Sequence, residues 1–187
     1  MLNTVIPIFS TGAGAATGDF ESIATVTVGS GGAANVEFTS IGTDWTHLQI
    51  RFIARASSVQ FVKITLNGNT TGSNYYAHSI IGNGSTATAN AWNGTSYNAI
   101  VLAASGLNTE ASEFNGGVID ILDYTSTNKN KTLRWLQGFD SNGTGDIEFG
   151  SGLFSATPAA ITSIKLALNS GNFTQYSHFA LYGIKSA

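Results

Sequence analysis

The stretch Thr46-His-Leu-Gln-Ile-Arg-Phe-Ile-Ala-Arg-Ala56 decides the fold class. Leu48, Ile50, Phe52 and Ala54 alternate with His47, Gln49, Arg51 and Arg55. Successive side chains of an extended strand point to opposite faces, so this pattern places the apolar set on one face and the polar set on the other. It is the pattern of an antiparallel sheet with one buried face.

The same period continues outward in both directions. On the N-terminal side it appears in 22–28 and 35–41, separated by Gly29-Ser-Gly-Gly32. Towards the C terminus it recurs in 59–66, 96–103, 117–124, 132–139, 146–149, 161–168 and 179–184, with 75–81 strand-like between looser stretches. Asn67-Gly68 is a type I′ turn signal. The turn through 125–130 is expected to return 132–139 as an antiparallel partner of 117–124, and Asn169–Asn172 reads as a tight connection. Region 68–95 is less regular, and 103–112 is expected to form at most a short helical turn. Nowhere does an apolar 3.6-residue period follow a capping residue. Nine or ten short strands at this spacing predict an all-β fold: an antiparallel β-sandwich, jelly-roll-like, with a single domain over 19–187.

Residues 1–18 stand apart. Leu2, Val5, Ile6, Ile8 and Phe9, with Pro7 among them, lead into a Gly/Ala/Thr linker. The segment reads either as a first edge strand, where Pro7 is tolerated, or as an N-terminal arm that docks on a neighbouring subunit by strand addition.

Composition narrows the function classes. With no cysteine in 187 residues, thiolate metal sites, disulfides and cysteine nucleophiles are excluded. Charged residues form only 10% of the chain, well below a typical globular protein, and Gly, Ser, Thr and Asn take their place. Yet no apolar run approaches the length that spans a bilayer, so no membrane insertion is expected. A net charge of −3 with dispersed Lys and Arg argues against nucleic acid as a partner. No Lys or Arg precedes Arg51, so a secretory signal with a basic start is not expected; release in an assembled particle is a route that needs none.

Catalytic chemistry finds little to build on. His47 and His178 lie in strand patterns, and His78 is the third histidine. Asp120 and Asp123 are three apart, which sends them to opposite faces of a strand and prevents joint action on one sugar ring. The segment from Asp140 to Glu148 resembles the first half of a calcium loop, with Gly145 sixth. Its twelfth position is Ser151 where a bidentate Glu is required, so an Asx-rich turn is the expected reading, and no metal or cofactor is expected. The chain is therefore expected not to be an enzyme. Trp45 and Trp135 fall at strand positions suited to a core or interface. Tyr75, Tyr76, Trp92 and Tyr97 lie in or beside the irregular region and are candidates for glycan binding or for subunit contacts.

Four segments carry a resemblance: SIGTDWTHLQIRFIAR (40–55), LNGNTTGSNYYAHSIIGNG (66–84), GGVIDILDYTSTNKNKTLRW (116–135) and AAITSIKLALNSGNFTQYSHFALYGIK (159–185). Together they resemble a widespread family of tailed-bacteriophage virion structural proteins, whose closing pattern is an ITSI strand, a Ser-Gly-Asn-Phe turn and a YS-x-F-x-LYGI strand. The resemblance spans roughly 22–185. It implies a decoration, tail or fibre component and brings no catalytic residues. The expected role is a capsid decoration (cement) protein that contacts the major capsid protein and copies of itself, as a homotrimer, within a virion assembled in the host cytoplasm. The alternative is a tail-tip or tail-fibre module that binds a host surface glycan.

Overall fold

The computed structural model of the protein describes residues 18–103 and 106–185. The described residues form twelve strands: β1 (Phe20–Thr27), β2 (Asn35–Phe38), β3 (His47–Ala54), β4 (Val62–Leu66), β5 (Tyr75–Gly82), β6 (Ala87–Asn93), β7 (Ile100–Leu102), β8 (Asn115–Leu122), β9 (Lys131–Ser141), β10 (Thr144–Phe154), β11 (Ile164–Leu168) and β12 (His178–Ile184). Among the described residues there is no α-helix, only 3₁₀ turns at Gly72–Asn74 and Gly94–Ser96. The described part of 103–112 holds no helix, only single turns such as the one that Glu113 N–H closes on Glu110 C=O at 3.3 Å.

The strands make two antiparallel sheets. The larger has eight strands in the order β1-β12-β3-β8-β9-β10-β5-β6, and the smaller has four in the order β2-β11-β4-β7. Both contribute to one hydrophobic core: Leu48, Ile50, Ile119, Leu133, Trp135 and Leu181 from the large sheet meet Val36, Ile64, Leu66 and Leu166 from the small one. In β3, Leu48, Ile50, Phe52 and Ala54 all face inward, as the alternation requires. Each of the three large ones contributes about 1.5–3 kcal/mol by leaving water.

Turn chemistry explains the connections. Asn67 and Gly68 both take positive φ (52° and 61°), and Asn69 N–H closes the turn on Leu66 C=O at 3.0 Å. The turn does not make a hairpin, however. It hands the chain from β4 in the small sheet to β5 in the large one. Likewise 169–172 opens a connection that runs to 177 and crosses from β11 to β12, which lie in different sheets. The expected antiparallel return of β9 beside β8 is present, with Ile119 opposite Trp135.

Large inward rings are accommodated by bare backbone opposite them. A Cβ on Gly150 would stand 2.0 Å from the Trp135 ring, one on Gly117 2.3 Å from Phe52, and one on Gly183 2.2 Å from Trp45. Glycine in a strand interior weakens it locally, but here it marks the place where a neighbouring ring must lie flat.

Candidate interaction face

The outer face of the large sheet departs from the pattern of its own sequence. In β10 the apolar Ile147 and Phe149 point away from the core, while Glu148 between them is fully buried. In β9 Leu136 also points outward, between inward Trp135 and Gln137. Cross-strand register assembles these outward residues into rows. One row runs Arg51, Val118, Leu136, Phe149, Ile80, Ala89 across β3, β8, β9, β10, β5 and β6. The next runs Ile53, Gly116, Gly138, Ile147, Gly82, Ala87.

The exposures make this face apolar in solvent. Leu136 is 42% exposed, Ile53 48%, and Ile80, Ile147 and Phe149 57% each. Scattered single apolar residues on a surface are ordinary, but a contiguous patch marks an interaction site. Gly116 and Gly138 sit opposite each other between Ile53 and Ile147, so the face has a shallow floor of bare backbone with an isoleucine on each side. Gly138 cannot be replaced lightly, because a Cβ there would meet Asp146 C=O at 2.5 Å.

A polar margin borders the patch. Along the adjacent row, Gln49 Nε2 donates to Asp120 at 2.8 Å, and Arg134 lies 3.8 Å from the same carboxylate. Arg51 extends over the stacked rings of Phe20 and Tyr182, 5.1 and 5.4 Å from their centroids. An apolar centre with a polar, arginine-bearing rim is the anatomy of a protein–protein contact.

Directly beneath the face lies a buried polar chain that fixes the strands presenting it. Asn108 N–H donates to Asn115 Oδ1 (2.7 Å), Asn115 Nδ2 to Gln137 Oε1 (3.1 Å), and Gln137 Nε2 to Glu148 Oε2 (3.3 Å). The Trp135 indole N–H completes it on Glu148 Oε1 at 3.2 Å. Because β9 and β10 are joined side chain to side chain, a one-residue slip would break these bonds, so the register that turns Phe149 outward is specified from below.

The aromatic candidates do not share a surface. Tyr75 is fully buried, a correction to its reading as a binding aromatic: its ring stacks on Phe154 at 4.9 Å, and its hydroxyl donates to Asn69 C=O and accepts from Leu66 N–H. Burial raises its phenol pKa above the ordinary value near 10. Tyr76, the next residue, therefore faces the opposite side and is exposed. Trp92 is partly buried against the core, and Tyr97 packs edge-on to Phe61 at 4.7 Å. The arm residues Leu2, Val5, Ile6, Ile8 and Phe9 lie outside the described residues.

Other groups singled out in the sequence have local partners. Asp120 belongs to β8, while Asp123 follows its end at φ 47° and holds Lys129 at 2.7 Å. That hydrogen bond, with the nearby charges of Lys129 and Lys131, holds the Asp123 carboxyl below its ordinary value. His47 Nδ1 accepts from the Asp123 backbone N–H at 2.9 Å, and His178 Nδ1 lies 2.8 Å from Thr27 Oγ1. The calcium-like segment is a hairpin joining β9 to β10 through Asn142 (φ 50°) and Gly143 (φ 95°), which puts Asp140 and Glu148 on opposite faces of the sheet. Asn-Gly between strands is the type I′ signal, and it was legible at 142–143.

Comparison with family models, curated proteins and solved structures finds nothing that matches the chain.

Proposed function

We propose that the protein is a non-enzymatic virion structural protein of a tailed bacteriophage, a jelly-roll-like β-sandwich that decorates the capsid. In this reading the outer face of the large sheet seats against the major capsid protein or a neighbouring copy, and the protein works by covering and joining shell subunits. The observation that supports it is the inverted pattern of β10, with Phe149 and Ile147 in solvent and Glu148 inside. Exposed aromatic and aliphatic side chains on a rigid sheet favour burial against a partner, at about 25 cal/mol per Å² of apolar area covered.

The low charge of the chain suits the same role. A contact built from apolar area and neutral hydrogen bonds is less sensitive to salt than one built from ion pairs, which matters on a particle released into variable surroundings. A homotrimer remains part of the proposal, since closed symmetry is the usual state of such subunits. Binding of a host surface glycan draws less support, because Tyr75 is in the core and Tyr76, Trp92 and Tyr97 do not form one platform.

Quantitative mass spectrometry of purified particles tests the role. Copies comparable in number with the major shell protein are expected. A few dozen copies or fewer would place the protein at the tail and overturn the decoration reading.

A further inference from the structure

We infer that the edge of β6 left open among the described residues receives the N-terminal arm of a neighbouring copy as an added strand; the inference rests on the proposed assembly role. An unpaired strand edge invites pairing, and proteins that do not use an edge blunt it. Three edges here are blunted. β1 carries Glu21 and a register irregularity between Ser22 and Ala24, β2 has four residues including Glu37, and β7 has three residues, all buried. The fourth edge is different. β6 is seven residues long and has no charge, no proline and an unbroken register with β5.

The hydrogen-bond phase of β6 identifies the groups on offer. Asn83 N–H donates to Thr86 C=O at 3.2 Å, which makes 83 and 86 a bonded pair at the hairpin end. Bonded pairs alternate along an antiparallel ladder, so Thr88, Asn90 and Trp92 bond to β5. Ala87, Ala89, Ala91 and Asn93 then present their N–H and C=O groups to the open side. The three alanines are exposed and small, and a strand laid beside them would continue the apolar outer face past Ile80.

The arm suits this edge by length and chemistry. Residues 1–9 are long enough to pair along the seven of β6, carry no charged side chain, and hold Leu2, Val5, Ile6, Ile8 and Phe9. Pro7 lacks an N–H, which fits a strand that bonds on one side only. Reach favours a neighbour's edge over the arm's own. Phe20 starts β1 on the opposite edge of the eight-stranded sheet, about 34 Å away at strand spacing. The stretch from Phe9 to Phe20, fully extended, spans about 36–40 Å, so pairing within one chain would require it to run taut across the sheet. A head-to-tail contact of this kind makes a ring, such as a trimer, when its rotation closes and an open filament when it does not.

Amide hydrogen exchange of the full chain by NMR, with sedimentation under the same conditions, tests the inference. Ala89 and Ala91 amides should be protected like Thr88, Asn90 and Trp92. In an Ile6→Pro/Ile8→Pro variant of the full chain, protection at Ala89 and Ala91 should fall by about tenfold or more while the other three keep theirs, and the mass should drop to that of a monomer. Unprotected Ala89 and Ala91 in the native chain would overturn the inference, as would protection that the arm variant leaves unchanged, which points to a second β6 at the edge. Protection in a chain that sediments as a monomer would overturn the assignment to a neighbour. High copy number with an unprotected edge defeats this inference alone, whereas a protected edge with few copies defeats the decoration reading alone.

Discussion

Leu136 and Phe149 stand directly opposite each other on β9 and β10 and both point into solvent, while the adjacent pair, Trp135 and Gly150, points into the core. The two pairs are set by the same register. Whatever holds Trp135 against Gly150 therefore also holds Leu136 and Phe149 outward, and the predictions below separate these two sides of one ladder.

Replacing the outward pair should remove association without unfolding the domain. Phe149→Asp or Leu136→Asp is expected to abolish incorporation into particles, while stability in urea changes by less than about 0.5 kcal/mol, as for an exposed site. Loss of stability comparable with a core substitution would mean that Phe149 packs within its own chain.

The inward side should behave in the opposite way. Gly150→Ala places a methyl carbon 2.0 Å from the Trp135 ring, so the indole must move or the strands must part. Overpacking of this kind costs about 1–3 kcal/mol, read as a lower urea midpoint and altered Trp fluorescence. A neutral outcome would contradict the register described for β9 and β10.

The buried chain below the face makes a related prediction. Glu148→Ala leaves the Trp135 indole N–H and the Gln137 amide without their acceptor. Leaving buried donors unsatisfied costs about 1–3 kcal/mol each, and chemical denaturation should register a loss in that range or above it. An unchanged midpoint would show that water replaces the carboxylate.

Asp123 gives a pH signature. Its hydrogen bond from Lys129, with the neighbouring positive charges, lowers its folded pKa, so the stabilisation is present above the unfolded carboxyl value and is lost as pH falls through the folded one. A carboxyl NMR titration should place Asp123 below the ordinary range, and Lys129→Ala should move it back up. No movement in that variant would remove Lys129 as the cause.

The sequence made the strands with a full inward apolar set easy to read, and β3 is the clearest. It concealed those whose inward positions are filled from elsewhere. The second half of β10 has Gly150 and Gly152 inside, covered by Trp135 and Ile100, so its alternation fades and only 146–149 was expected as strand. β6, with Ala-Thr-Ala-Asn-Ala-Trp-Asn at a sheet edge, has little core side to betray it and fell within the region taken as irregular. The apolar outer face was hidden for a related reason. Alternation in Ile147-Glu148-Phe149 reads most simply as apolar-in, and only the Gln137 and Trp135 partners of Glu148 explain why it is the carboxylate that turns inward. Among the aromatics, Tyr75 and Tyr76 looked alike because strand phase, which separates them, depends on pairing partners far away in the chain.

Hydroxyl-radical footprinting, comparing free protein with protein on purified particles, shows whether the apolar outer face of the large sheet is covered in the assembly. Strong protection of Leu136, Ile147, Phe149 and Ile80 is expected on the particle, with Tyr176, which is exposed elsewhere, modified equally in both states. Equal modification of the four outer-face residues in the two states would contradict it.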